Sequence, residues 1–453
     1  MAKASENRKL VYEILLELER SEQKADVLLH AVLDKYDYLE QRDKAFIKHL
    51  TEGCIERKLT LDHVITLYAK TKNGRVKPAV RILLRMGIYQ ILYMEGVPDA
   101  AACNETVALA IDKGLAGLKG FVNGVLRTIS REKDKIRWPE EEKAFFSVYY
   151  SMPEWIVERF LEDYGSERTK RMLTAYQTQR PLTIRVCEGN DAALLANAWE
   201  GQGASVSDSP YLPGVYQLKN VPGVEKLEGY ANGAFVVQDV SSMLAVTAAG
   251  IAKGDTVVDV CAAPGGKSML AAELCGAEGK VYSFDLTEFK VDKIRENAQR
   301  LHLAQLTAEA WDARDYKKEL EGCADVVIAD LPCSGLGVLG RKADIRYRVQ
   351  PEDIASLQSL QREILSSAIH YLKPGGTLVY STCTVTKEEN EDNRAWLLEQ
   401  FDLEPVSIRE RLPRALCTES ADEGYQQLLC GIPADAPLVD GFFISVFRRN
   451  DNI

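Results

Sequence analysis

From residue 232 onward, short apolar runs rich in β-branched residues alternate with longer amphipathic stretches. TVVDV, KVYSFD, ADVVIAD and TLVYST read as strands, and KSMLAAELCG, KVDKIRENAQRLHL and EDIASLQSLQREILSSAIHYL read as helices. Parallel strands need a long crossover, usually a helix, so the alternation predicts an α/β fold with a parallel sheet covered by helices on both faces. Ligands of such sheets bind beyond the carboxyl ends of the strands. The residues that close each run are therefore the ones to read for function.

The remainder of the chain has a different texture. Between Arg8 and about Lys135, segments such as VYEILLELER, ADVLLHAVLDKY and KPAVRILLRMGIYQILYM place apolar residues three and four apart, the period of an amphipathic helix. Pro78 sits at a helix start and Gly96-Val97-Pro98 marks a break. IRWPEEE reads as the exit from this region, and beyond it EWIVERFLEDYG is helical whereas LTIRV is strand-like. The expectation is three domains: an all-α domain over residues 1–140, a small α+β connecting domain over 141–231, and an α/β domain over 232–453.

Composition excludes several classes. No run approaches the roughly 18 apolar residues of a membrane span, since ILLRMGIYQILYM is split by Arg85. The first residues carry acids within their apolar stretch, unlike a secretory signal, so a cytoplasmic protein without membrane association is expected. Ten cysteines without CxxC spacing suggest free thiols rather than a disulfide framework or a metal site. The net charge of −11 is unevenly divided: residues 1–140 hold 24 basic and 20 acidic side chains, leaving 32 basic and 47 acidic in the rest. No acid lies between Asp62 and Glu95, where Lys70, Lys72, Arg75, Lys77, Arg81 and Arg85 fall. Because salt screens charges beyond about 10 Å, such a local basic face can hold phosphates on an acidic protein.

The strand ends carry a constellation. The first run leads into Cys261-Ala262-Ala263-Pro264-Gly265-Gly266-Lys267, a turn of small residues opening a helix. Glycines let a ligand approach the backbone, and the helix start offers unpaired N–H donors. A P-loop would need glycine where Cys261 stands, which disfavours a nucleoside triphosphate. The second run ends at Asp285, suited to a ribose hydroxyl pair, and Asp312 follows the expected third strand within reach of an adenine.

The last two runs end in Asp330-Leu331-Pro332-Cys333-Ser334-Gly335 and in Ser381-Thr382-Cys383-Thr384, which brings two thiols to one sheet edge. With five histidines in the whole chain and none near either thiol in sequence, a cysteine-protease pair is disfavoured. A pyrimidine reaction suits two thiols better. Thiolate addition to carbon 6 of cytosine makes carbon 5 nucleophilic toward an electrophilic methyl group; one cysteine can form the bond and another can assist release. Asp330 can assist addition by hydrogen bonding at the ring nitrogen, a role worth about 100-fold to 10,000-fold.

CAAPGGK, DLPCSG and STCT, in that order and spacing, resemble the motifs of the RNA cytosine-5 methyltransferases of the Nol1/Nop2/Sun family, over about residues 232–450. EWIVERFLEDYG, PLTIRVC and FVVQDVSSMLA are similar to the connecting region of the bacterial small-subunit ribosomal RNA methyltransferase B group. RDKAFIKHLTEGCIERKLTLD, VPDAAACNETVALA and KGFVNGVLR are similar to the RNA-binding factor NusB. The resemblance implies a Rossmann-like domain using S-adenosylmethionine and no metal, acting on small-subunit ribosomal RNA. It implies Cys383 as nucleophile, Cys333 as the residue assisting release, and residues 261–267, Asp285, Asp312 and Asp330 around the cofactor. Leu331 and Ala343 depart from the family's usual smaller residue and proline, which bears on loop shape and RNA fit.

Arg341, Lys342, Arg346 and Arg348 are expected to hold phosphates of a flipped or single-stranded target. Other readings are methylation of transfer RNA or large-subunit RNA, or a non-catalytic RNA-binding assembly factor. Retention of both cysteines and of the glycine turn disfavours the last. A monomer is expected.

Overall fold

The computed structural model describes residues 2–450 apart from 22, 37, 71–75, 222 and 435. It divides into two compact units, Met1–Leu173 with Lys342–Arg348, and Thr174–Arg341 with Val349–Ile453. Among the described residues no helix is long and apolar enough to cross a membrane.

The first unit is helical. Its central helix, Pro78–Tyr93, buries nearly every residue from Val80 to Ile91, which explains an apolar run wider than one amphipathic stripe. Packed on it are Ala2–Leu18, Gln41–Glu56, Lys58–Tyr68, Asp99–Asp112 and Lys119–Glu132. Arg85 lies inside this bundle. Its guanidinium pairs with Asp62 at 2.7 Å and Glu19 at 2.5 Å, so it neutralises two carboxylates instead of facing phosphate, against the expectation for the basic segment. Lys70 and Lys77 are exposed, while Lys72 and Arg75 lie outside the described residues.

Residues 342–348 also belong to this unit. Arg346, expected to face RNA, is 1% exposed and donates to the carbonyl oxygens of Tyr150 and Ser151. It serves backbone acceptors just past the end of the helix Glu142–Tyr149, sharing the Ser151 carbonyl with the Tyr347 hydroxyl at 3.0 Å. Lys342 and Arg348 are exposed, the latter 3.4 Å from Asp344.

The second unit holds two sheets. The smaller comprises β1 (Leu182–Val186), β2 (Ser205–Asp208), β3 (Val215–Lys219) and β4 (Phe235–Val237) in the order β2-β3-β1-β4, all antiparallel. Trp199 of the helix Ala192–Gly201 fills its core.

The larger contains β5 (Thr256–Asp259), β6 (Lys280–Asp285), β7 (Leu306–Ala310), β8 (Ala324–Asp330), β9 (Leu372–Thr382), β10 (Leu403–Pro405), β11 (Tyr425–Leu428) and β12 (Phe442–Arg449). The order is β10-β12-β9-β8-β5-β6-β7, with β11 also paired to β12. Strands β5 to β9 pair in parallel, whereas β10, β11 and β12 join antiparallel, so the sheet is mixed rather than wholly parallel. β8 is buried along most of its length, as a parallel strand covered on both faces must be. The chain runs from β5 outward to β6 and β7, then returns to place β8 on the other flank of β5. That reversal opens a crevice at the carboxyl ends of β5 and β8.

Candidate active site

The strand ends singled out from the sequence lie along the carboxyl edge of the parallel strands. At the end of β5, the turn closes with the N–H of Gly265 donating to the carbonyl of Ala262 at 2.7 Å. Gly265 has φ +103°, a left-handed conformation that favours glycine, and a Cβ there would also press on Met269 Cε at 2.7 Å, which would have to shift. The helix Gly266–Cys275 starts immediately after it.

The turn is tied to β6. Asp285 Oδ2 accepts from the N–H of Ala263 at 3.0 Å, and Oδ1 accepts from the N–H of Leu286 and from Lys290 Nζ, both at 2.8 Å. Asp285 is buried, while Leu286 and Phe289 just beyond it are 62% and 73% exposed. The N–H of Trp311 donates to the Asp285 carbonyl at 2.9 Å, bringing the loop of Asp312 alongside. Asp312 itself is clasped by Arg314, which holds its carboxyl below the usual range. A bare glycine turn at a helix start, a carboxylate with spare acceptor capacity and exposed apolar side chains beside it fit a nucleoside-bearing cofactor such as S-adenosylmethionine.

Two further acids lie at the ends of β5 and β8. Asp259 is fully buried; Ser268 Oγ donates to its Oδ2 at 2.6 Å and Oδ1 has no partner. Burial raises its carboxyl to about 7, with Ser268 and Lys267 opposing the rise. Asp330 lies opposite Ser381 in the β8–β9 register and accepts from Ser381 Oγ through Oδ1 and from Lys267 Nζ through Oδ2, both at 2.7 Å. Burial works against the Lys267 ammonium, yet Asp330 outweighs it and raises the group. Cys261, at the mouth of the turn, has its thiol pushed up by burial, then by Asp259 and Asp285.

The loops after β8 and β9 bring the two thiols together: Cys333 Sγ and Cys383 Sγ are 3.2 Å apart. The hydrogen bond with Cys383, burial, and the negative charges of Glu389 and Asp330 all push the Cys333 thiol well up. Backbone contacts fix the pair. The N–H of Gly337 donates to the Cys383 carbonyl at 3.0 Å, and the N–H of Gly441 to the Gly337 carbonyl at 2.9 Å. Leu331, beside Asp330, packs into the core, and its N–H donates to the Ser381 carbonyl at 3.0 Å.

Sequence reasoning missed several residues of this site. Glu389 and Asn390 close the stretch STCTVTKEEN, where the charged run reads as a solvated helix start, yet both are fully buried. Asp259, Ser268 and Gln361 carried no signal apart from lying in or near the motifs. Arg341 is spent on Asp440 at 2.5 Å and Asp239 at 2.7 Å, with Arg180 3.5 Å from Asp440, so it braces a loop instead of presenting a free phosphate ligand.

Known proteins of similar sequence and fold place the chain in a family. Residues 246–448 match the model of the 16S rRNA methyltransferase RsmB/F family, and residues 5–131 match that of the NusB family. The chain is 36% identical over 450 residues, 98% of each chain, to the probable ribosomal RNA small subunit methyltransferase B of Bacillus subtilis. It is 34% identical to the corresponding protein of a Synechocystis strain, covering 87% of this chain and 91% of that one. The crystal structure of PH0851 shares the fold, with a TM-score of 0.78 at 23% identity over 98% of both chains. With such identity along almost its full length, the chain belongs to the ribosomal RNA small subunit methyltransferase B family, S-adenosylmethionine-dependent enzymes that join a NusB domain to a Rossmann-like methyltransferase domain.

Proposed function

We propose that the protein methylates carbon 5 of a cytosine in small-subunit ribosomal RNA through a covalent adduct on Cys383. The observation that carries this reading is the pair of thiols 3.2 Å apart at the crevice, beside the Lys267–Asp330 ion pair and the glycine turn. The division of labour follows the three segments read from the sequence: residues 1–140 engage RNA, 141–231 connect, and 232–453 catalyse.

In this reading residues 261–267 and Asp285 hold the cofactor, with Asp312 at its adenine end. S-adenosylmethionine supplies an electrophilic methyl group on a sulfonium sulfur. Cys383 reacts as the thiolate and forms a bond to carbon 6 of cytosine. The ring nitrogen at position 3 takes up a proton from solvent, to which it is later returned, and the Asp330 carboxylate accepts the hydrogen bond from the new N–H. Carbon 5 then takes the methyl group, its own proton leaves to solvent, the Cys383–carbon 6 bond breaks and the nitrogen returns its proton. Cys333 donates a hydrogen bond to the departing Cys383 sulfur, which stabilises it as a leaving group. The net change is one methyl gained and one proton released.

The test is a denaturing gel of protein, S-adenosylmethionine and small-subunit RNA with wild type, Cys333→Ala and Cys383→Ala. A slow-migrating adduct in Cys333→Ala alone is the expected result. Trapping only in Cys383→Ala would reverse the two roles, and no trapping together with no methyl on cytosine would overturn the reading.

A further inference from the structure

Glu389 lies between the two thiol-bearing loops and is 0% exposed. A buried carboxylate is costly unless its lone pairs are filled. Here they are: Oε1 accepts from the N–H of Ser334 at 2.9 Å and from Gln361 Nε2 at 3.0 Å, and Oε2 from Ser334 Oγ at 2.5 Å and Thr386 Oγ1 at 2.7 Å. Ser334 follows Cys333, and its Oγ also lies 2.6 Å from Thr384 Oγ1, the residue after Cys383. Gln361 Nε2 further donates to the carbonyl of Pro332, the residue before Cys333. One carboxylate thus ties together the neighbours of both cysteines.

Well-packed hydroxyls and amides could do the same without a charge, so the charge calls for a role. The charged groups around the thiols are unevenly placed. Cys333 feels the carboxylates of Glu389 and Asp330 together with Cys383, and Tyr380 is also nearby. The ammonium of Lys267, by contrast, interacts with Cys383. Carboxylates near the Cys333 sulfur and an ammonium near the Cys383 sulfur polarise the pair.

We propose that Glu389 is a positioning residue for the two-thiol chemistry: its buried carboxylate registers the Cys333 loop against the Cys383 loop and keeps the proton of the pair on Cys333. The inference rests on the reading of Cys383 as nucleophile. Cys333 then remains an S–H donor while Cys383 carries the thiolate, the distribution that addition and release both require.

Glu389→Gln separates charge from shape. A glutamine can keep its oxygen toward Ser334 N–H and Gln361, while its NH₂ donates to the Ser334 and Thr386 hydroxyls, which rotate to accept. The measurement is peptide-mapped alkylation of the full-length free enzyme by iodoacetamide across pH, paired with methyl-transfer kinetics. In Glu389→Gln the pH at which Cys333 alkylates half-maximally is expected to fall by roughly one unit. Its kcat is expected to drop about tenfold or more, with KM for RNA held within about twofold. An unmoved Cys333 profile with unchanged kcat overturns the proposal. Should the variant fail to fold, wild type decides alone: Cys333 alkylating at a lower pH than Cys383 overturns it, and the reverse order supports it. The titration needs no RNA, so it stands apart from the adduct gel, whose failure would count against the cytosine reading instead.

Discussion

Cys333 Sγ lies 3.2 Å from Cys383 Sγ although 50 positions of chain separate them. A disulfide needs about 2.0 Å between sulfurs, so a closure of about 1.2 Å would join the pair. With hydrogen peroxide as oxidant, the two S–H groups become one S–S bond and two waters form. Treatment of the enzyme is expected to link the Cys333 and Cys383 peptides, abolish methyl transfer, and be reversed by dithiothreitol. Peptide mapping that finds either cysteine linked to a different partner would count against this geometry in solution.

Gly337→Ala should disturb the same site through the backbone. A Cβ at Gly337 would lie 2.0 Å from the Gly441 carbonyl oxygen and 2.8 Å from that of Cys383. Neither backbone atom can move aside without breaking the bonds that seat Cys383, so a loss of about 2 kcal/mol or more is expected. Denaturant unfolding measures it, and methyl transfer should fall by more than the folded fraction does.

Arg346→Ala tests a correction to the sequence reading. The side chain is buried and donates to the Tyr150 and Ser151 carbonyls, so the variant should lose roughly 1–3 kcal/mol of stability through the lost charged hydrogen bonds and the space left behind. The slope of RNA affinity against salt should stay unchanged, because no phosphate contact disappears. A slope reduced by about one, with stability intact, would restore the phosphate role.

Asp259 gives a pH dependence. Its carboxyl is raised from 3.8 to about 7 by burial, so the folded state binds the proton more tightly than the unfolded chain. Its contribution is fully present below about 4 and is lost as pH rises through 7. Asp259→Asn removes this titration. The advantage of wild type over the variant in thermal unfolding should therefore shrink between pH 5 and pH 7.5, and a constant difference would show that Asp259 does not titrate in that window.

The fold was largely legible where the pattern was strong. TVVDV, KVYSFD, ADVVIAD and TLVYST became β5, β6, β8 and β9, since strands buried on both faces must be continuously apolar. The third strand, LTAEA, was harder to see because β7 is an edge strand with no residue fully buried, so its sequence need not be apolar. DGFFISVFRR contains a strand that lies antiparallel between β9 and β10, a direction that no local pattern encodes.

By itself the sequence determined the helical and α/β segments, the glycine turn, and which side chains end the strands, because those depend on residue spacing along one chain. Only the tertiary structure decided what stands across from what. It set Cys333 against Cys383, Lys267 against Asp330, and Glu389 between two loops. It also withdrew Arg85 and Arg346 from the surface, although their sequence neighbourhoods look as basic as any exposed face. The reason is physical: burial and charge pairing depend on groups remote in sequence, and a buried carboxylate or guanidinium is tolerated only where several such groups converge on it.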